Sequence, residues 1–127
     1  MKTAVTVAQT LVRLCALVLI VLGVLFWTGN ALTLVPLHVL AGLVLVLSLW
    51  ALAGLAAWAG VGLPIVAVAV VWGLIVPILG LSQDRLLTGD AHWLIRVLHL
   101  LVGIVAIGLA ESLGIRIRRA GPVTARA

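Results

Sequence analysis

Two histidines lie in nearly the same local setting inside apolar runs of the chain. Residues 37–44 read LHVLAGLV and residues 98–105 read LHLLVGIV, and the two segments agree at five of eight positions. In each segment a glycine follows the histidine by four residues, which gives the pairs His38–Gly42 and His99–Gly103. Ionisable side chains are costly to bury in hydrocarbon, and imidazole is the commonest protein ligand for metal ions. The repeated pattern therefore marks His38 and His99 as candidate metal ligands.

The composition of the chain places these histidines in a membrane. Of the 127 residues, 65% are hydrophobic and 9% are charged, and the mean hydropathy is +1.43. A soluble domain of this size has too little interior to bury so much apolar surface. The net charge of +5 does not indicate nucleic-acid binding, because the basic residues cluster near the ends of apolar runs, as membrane topology requires. The single cysteine, Cys15, excludes an internal disulfide and a CxxC motif.

Four apolar runs, separated by turn-forming segments, predict an all-α, integral membrane four-helix bundle of up-down-up-down order. We expect helices at about 5–27, 34–58, 63–81 and 91–115, each near the roughly 20 residues that cross a bilayer. They form a single domain, 1–127, that ends in a basic cytoplasmic tail, 116–127. Asp90 is the expected N-cap of the fourth helix. Because short loops make sequence neighbours adjacent, helices 2 and 4 face each other across a diagonal.

The distribution of lysine and arginine predicts the orientation of the bundle. Six basic residues fall on the side of the two termini and two on the other side, and the excess marks the cytoplasmic side. We therefore expect a protein of the bacterial inner membrane with both termini in the cytoplasm, which puts His38 and His99 in the outer half of the bilayer. The six are Lys2, Arg13, Arg116, Arg118, Arg119 and Arg126, and the two are Arg85 and Arg96.

Two imidazoles at the same depth on diagonal helices can supply both axial ligands of one heme iron. A residue four positions after a ligand lies on the same helix face, so Gly42 and Gly103 would let a porphyrin approach the backbone. Arg96 precedes His99 by three residues and is placed to meet a heme propionate. The sequence thus predicts one bis-His heme b, with His38 and His99 on the iron and with Gly42, Gly103 and Arg96 as further cofactor-binding residues.

Histidines on facing membrane helices, each with a glycine one turn away, resemble those of the b-type cytochromes of respiratory membranes. The resemblance covers two eight-residue segments and the four-helix arrangement. It implies a heme protein that transfers electrons near the outer face, alone or as a subunit of a redox complex rather than as a stand-alone enzyme. A quinol or a redox protein would be its partner, beside the lipid bilayer itself. The chain departs from that pattern in having no histidine pair in the inner half, so its one heme cannot span the membrane alone.

Other interpretations of the same residues are open at this point. His38 and His99 could hydrogen-bond to a serine, a threonine or a backbone carbonyl of a neighbouring helix, or each could bind a magnesium tetrapyrrole. Arg96 could extend to the outer interface. The whole chain could be a cofactor-free structural or assembly subunit of a membrane complex, or part of an oligomer. A small transporter is the least favoured class, because the drug exporters of this size need an acidic residue in helix 1.

Several remaining polar and aromatic residues have simpler expected roles. Arg13 and Glu111 lie at matched depths on neighbouring helices, and an ion pair near the inner interface would relieve both charges. The alternative for this pair is a proton or quinone site. His92 is expected to be a surface residue. Trp50 and Trp72 are expected to pack in the middle of the membrane, where either could lie near a porphyrin edge.

Overall fold

The computed structural model describes residues 1–121, which form four α-helices and no strand. These are α1 (Lys2–Trp27), α2 (Val35–Trp58), α3 (Leu63–Ser82) and α4 (His92–Ala120). Short 3-10 turns precede α2 (Leu32–Leu34) and follow α3 (Gln83–Arg85). Each of the four spans is long and apolar enough to cross a bilayer. The all-α class and the four predicted spans are confirmed.

The fourth helix is longer than the sequence pattern indicates. Its predicted end is near residue 115, but α4 continues to Ala120, so that residues 116–120 of the predicted tail are helical. Arg118 and Arg119 lie in its last turn, where positive charge stabilises the carbonyl end of a helix. Gly121, with φ +70°, then ends the helix. The rest of the predicted tail, Arg126 included, lies outside the described residues.

Glycine and proline residues mark several of the other helix ends. Gly29 takes a left-handed conformation (φ +77°) after α1, and a proline stands in the first turn of both α2 and α3. The helix α3 continues through Pro77 to Ser82. The prediction that Asp90 caps α4 is wrong, because Ala91 occupies the N-cap position and no side chain caps this helix end.

The bundle is organised around α2. This helix packs against each of the other three, and it contacts α4 directly across the diagonal; α1 and α3 make no comparable contact within residues 1–121. Both diagonal helices bring fully buried alanines to the core, Ala53 and Ala56 from α2 and Ala106 and Ala110 from α4. Small side chains let membrane helices approach closely. The predicted meeting of helices 2 and 4 is thus observed.

Contacts between consecutive helices join late residues of one helix to early residues of the next. His38 near the start of α2 lies beside Gly23 near the end of α1, and Gly42 lies beside Leu19. His99 early in α4 likewise lies beside Gly80 late in α3. The end of α1 thus lies beside the start of α2, and the end of α3 lies beside the start of α4.

Two indole groups make hydrogen bonds between neighbouring helices in the middle of the bundle. Trp50 on α2 donates from Nε1 to the Val70 carbonyl of α3 (3.2 Å), and Trp72 on α3 donates to the Val102 carbonyl of α4 (2.9 Å). A side chain at Gly73 would overlap the Trp50 indole. The tryptophans therefore pack as expected and also make interhelical hydrogen bonds that the sequence did not predict.

We expect Gly73→Ala to destabilise the bundle, because its methyl group must displace the Trp50 indole and break the bond to Val70. Overpacking of this kind costs about 1–3 kcal/mol. Thermal unfolding in detergent measures the effect. Gly54→Ala is the matched control, since no atom lies within 4 Å of the position that its methyl group would take. Equal melting temperatures for the two variants would contradict this packing.

Candidate functional site

The diagonal packing of α2 and α4 brings His38 and His99 together. Their ring centroids are 6.3 Å apart and their ring planes are inclined by 44°. His38 lies in the first turns of α2 and His99 in the third turn of α4, and both side chains are partly buried. We call the end of the bundle that holds this pair the histidine end.

Neither side chain of this pair makes a hydrogen bond within residues 1–121. Within residues 1–121, Nδ1 of His38 and Nδ1 of His99 are the only buried side-chain nitrogen or oxygen atoms without one. A buried polar atom that makes no hydrogen bond loses its hydration without compensation, which costs about 1–3 kcal/mol. The interhelical hydrogen bonds that would explain the histidines as purely structural residues are thus missing from the described part of the chain.

The remaining two helices approach the imidazoles with glycines and one aromatic ring. A Cβ atom at Gly80 of α3 would lie 2.9 Å from His99 Cε1, so a side chain there would displace the ring. The corresponding position at Gly23 of α1 lies 3.9 Å from His38 Cε1. Phe26 contacts His38 with ring centroids 5.4 Å apart. The role of Phe26 was not foreseen, because spacing within α1 does not show which residue faces the next helix.

The two glycines of the repeated segments lie in different surroundings. At Gly42, a Cβ atom would lie 3.9 Å from Leu19 Cδ2, so α1 fills the space beside this glycine. At Gly103, no atom lies within 4 Å of the corresponding position, and the space is open. Neither position is within 4 Å of a histidine. A planar group that reached Gly42 would have to displace Leu19, whereas Gly103 has no neighbouring side chain to displace.

The other predicted residues of this end lie near the surface. Arg96 is exposed, one turn before His99, and makes no hydrogen bond or ion pair with any residue from 1 to 121. His92 Nδ1 lies 3.3 Å from the Leu86 carbonyl oxygen and links the start of α4 to the preceding loop. Arg96 is therefore available to an anionic group at the histidine end, whereas His92 has a structural contact.

A second polar cluster lies at the opposite end of the bundle, which we call the arginine end. Arg13 binds Glu111 through two hydrogen bonds, Nε to Oε1 (2.7 Å) and Nη2 to Oε2 (2.8 Å). The predicted pairing of Arg13 with Glu111 is thus observed. Gln9 donates to Glu111 Oε2 (2.9 Å) and accepts from Arg118 Nη1 (2.6 Å). From His99 to Glu111 is twelve residues of helix, or roughly 18 Å along its axis.

Gln9 was not singled out in the sequence, although it is one of the most buried side chains of the bundle, 2% exposed. A side chain at Gly114 would overlap its amide, so that glycine makes the space for it. The available signal was its spacing, because a residue four positions before Arg13 shares the same helix face.

The histidine pair fits the axial ligation of a transition metal. A metal ion bound at about 2 Å by one nitrogen of each ring places the two ring centroids roughly 6 Å apart, close to the 6.3 Å observed. No group of three or more histidine, cysteine, aspartate or glutamate side chains within residues 1–121 could hold a metal ion. A metal between these rings would need further ligands, such as water molecules or the four nitrogens of a porphyrin.

The fit of the porphyrin itself depends on α1 and α3. A plane between two axial ligands on α2 and α4 extends toward the other two helices, which carry Gly23 and Gly80 at this level. Within residues 1–121, α1 and α3 make no extensive contact with each other, and each packs against α2 and α4. The two imidazoles are thus close enough to share one metal ion, and Leu19 fills the space beside Gly42.

Comparison with known proteins adds no assignment. No protein family, curated protein or solved structure matches the chain. The function is therefore argued from the chemistry of the two polar sites.

We expect His38→Leu and His99→Leu to leave the heme-free protein as stable as wild type or more stable, by up to about 1 kcal/mol, because each removes an unpartnered buried nitrogen. Thermal unfolding of protein purified without heme measures this effect. Trp72→Phe is the control and should lower the melting temperature, because it removes an indole that donates a hydrogen bond to the Val102 carbonyl. Marked destabilisation by both leucine variants would show that the imidazoles make structural hydrogen bonds.

Proposed function

We propose that this chain is a membrane b-type heme protein that transfers electrons near one face of the bilayer, with one heme held between His38 and His99. The observation that carries the proposal is the pair of buried, unpartnered imidazoles with ring centroids 6.3 Å apart. Such nitrogens are costly in an apolar interior unless something binds them. Two imidazoles alone would leave a metal ion with several open coordination positions, which the four nitrogens of a porphyrin would fill.

The residues around the pair suit electron transfer more than ligand chemistry. Heme, when bound, supplies a one-electron redox centre whose potential depends on its axial ligands and surroundings. If His38 and His99 both held the iron, it would have no open position for oxygen or substrate. The apolar ring of Phe26 packs against His38, with ring centroids 5.4 Å apart, and shields that imidazole from water. Gly103 has no neighbouring side chain that would obstruct a cofactor approaching α4.

Arg96 has the position of a propionate partner in this proposal. It is exposed at the histidine end, one turn before a proposed ligand, and no side chain among residues 1–121 neutralises it. With both termini in the cytoplasm, this end faces outward, and a quinol or a redox protein would exchange electrons there. The excess of lysine and arginine on the side of the two termini supports that orientation.

A cofactor-free structural or assembly subunit is the second candidate function. It is favoured by the contact of Leu19 with the Gly42 face, which closes part of the space that a porphyrin needs. In that case the bundle would pack against protein partners in a larger complex, and purified protein would show no visible absorbance. The absorption spectrum of protein purified in detergent, with a pyridine hemochrome assay, distinguishes the two functions.

We expect His38→Ala and His99→Ala each to abolish the low-spin heme spectrum, because each removes one axial ligand. His92→Ala is the matched control and should keep the spectrum, since this histidine contacts the Leu86 carbonyl and not the pair. Spectra of heme-reconstituted proteins in detergent provide the measurement. If wild type binds heme and both alanine variants of the pair retain its low-spin bands, the iron is held elsewhere.

We expect Arg96→Gln to lower the midpoint potential while the low-spin spectrum persists. Reduction removes one positive charge from the iron, so a nearby cation favours the reduced state. Arg96 is exposed, which weakens the effect through solvent screening. At about 59 mV per tenfold shift of a one-electron equilibrium, a surviving interaction of roughly 0.3–1 kcal/mol corresponds to about 10–40 mV. Potentiometric titration decides the matter, and an unchanged midpoint would show that Arg96 is remote from the heme.

A further inference from the structure

The arginine end contains a cavity that the proposed heme site does not use. It has a volume of about 740 Å³ and opens between the loop that joins α2 to α3 and the last turns of α4. Val61 and Gly62 form the loop side, and Arg116 and Arg119 form part of the α4 side. The cavity is open to the surroundings of the bundle and lies next to the cluster of Arg13, Gln9 and Glu111.

The charge of this cavity is positive. Arg116 and Arg119 are exposed and form no ion pair within residues 1–121; Arg116 Nε donates only to the neutral Ser112 hydroxyl (3.3 Å). Glu111 also lines the cavity, but its two oxygens already accept hydrogen bonds from Arg13 and Gln9. The Arg13 guanidinium offsets the negative charge of that carboxylate, so two cationic groups are left without a counter-charge.

Part of the cavity wall, beside this cationic region, is apolar. Gly108 also lines it and precedes Arg116 by eight residues of helix, which is roughly 12 Å toward the middle of the bundle. No atom lies within 4 Å of the position that a Gly108 Cβ would take, so the groove is open there. Ile115 contributes apolar surface between the two levels. A cationic region near the helix end with an apolar groove deeper in the membrane matches an anionic amphiphile.

We propose that this cavity binds an anionic phospholipid, with the phosphate of its headgroup between Arg116 and Arg119 and an acyl chain along the groove at Gly108. Basic pockets between membrane helices are suited to anionic headgroups, and each arginine near the membrane surface contributes about 1 kcal/mol of attraction. Inorganic phosphate shares the headgroup chemistry but has nothing to place against the apolar groove. This proposal uses no residue of the histidine pair and holds whether or not the protein binds heme.

The charge requirement is tested by lipid binding to the full chain in detergent micelles. Native mass spectrometry with added phosphatidylglycerol or phosphatidylcholine gives the affinity for each lipid. Wild type should retain phosphatidylglycerol preferentially. The double variant Arg116→Gln/Arg119→Gln should bind it at least tenfold more weakly, since about 1 kcal/mol per charge is roughly fivefold each. Lys2→Gln/Arg85→Gln removes the same net charge from two other exposed positions and should change the affinity less than twofold. Equal losses in the two double variants would overturn the proposal.

The groove requirement separates a lipid from a free anion. Gly108→Leu places a side chain in the open groove and should weaken phosphatidylglycerol binding several-fold. Gly54→Leu is its control, because Gly54 is also exposed with no atom near its Cβ position, but it lies on α2 outside this cavity. Inorganic phosphate should compete poorly with the lipid. If phosphate competes at similar concentrations and Gly108→Leu has no effect, the cavity binds a free anion and the lipid assignment is wrong.

Discussion

The direct contact of α2 with α4 across the diagonal is the constraint on which the other features of this bundle depend. Fully buried alanines such as Ala53 and Ala106 give both helices a surface without bulky side chains, which allows close approach. With this diagonal filled, α1 and α3 are held apart and each packs against both central helices. The two histidines lie close together because they are on the two helices that contact each other across the diagonal. At the opposite end of the bundle, Arg13 of α1 binds Glu111 of α4.

The histidine pair differs from the other polar groups inside the bundle in its hydrogen bonding. A hydrocarbon interior provides no hydrogen-bond partners, so each buried polar group needs one from the protein. Trp50, Trp72 and Ser48 donate to backbone carbonyls, and Gln9 lies between Glu111 and Arg118. Among residues 1–121, the imidazole Nδ1 atoms are the buried exceptions. The fold therefore satisfies its polar groups at the arginine end and leaves two nitrogens free at the histidine end.

Hydropathy and matched depth were enough to predict the four spans, the meeting of helices 2 and 4 and the pairing of Arg13 with Glu111, because these depend on position along the helices. Contacts that depend on helix rotation were not predictable. Gly80, and not Gly103, lies against His99, since spacing along one helix does not show which residue of the neighbouring helix comes closest. Gln9, by contrast, could have been found, because it precedes Arg13 by four residues and so shares its helix face. The helical extension to Ala120 was missed because basic residues suggest a solvated tail, although they also stabilise a helix end.

The distribution of histidines constrains what the protein can do with an electron. The chain has three histidines, and all of them lie at the histidine end, within the first three turns of α2 or α4. A second bis-His heme at the arginine end would therefore lack its ligands, roughly 18 Å away along α4. The polar cluster at that end consists of hydrogen-bonded side chains that have no redox chemistry, namely Arg13, Gln9 and Glu111. Electron entry and exit would thus share one face of the membrane, which makes a quinol or a redox protein at that face a requirement of the proposed function.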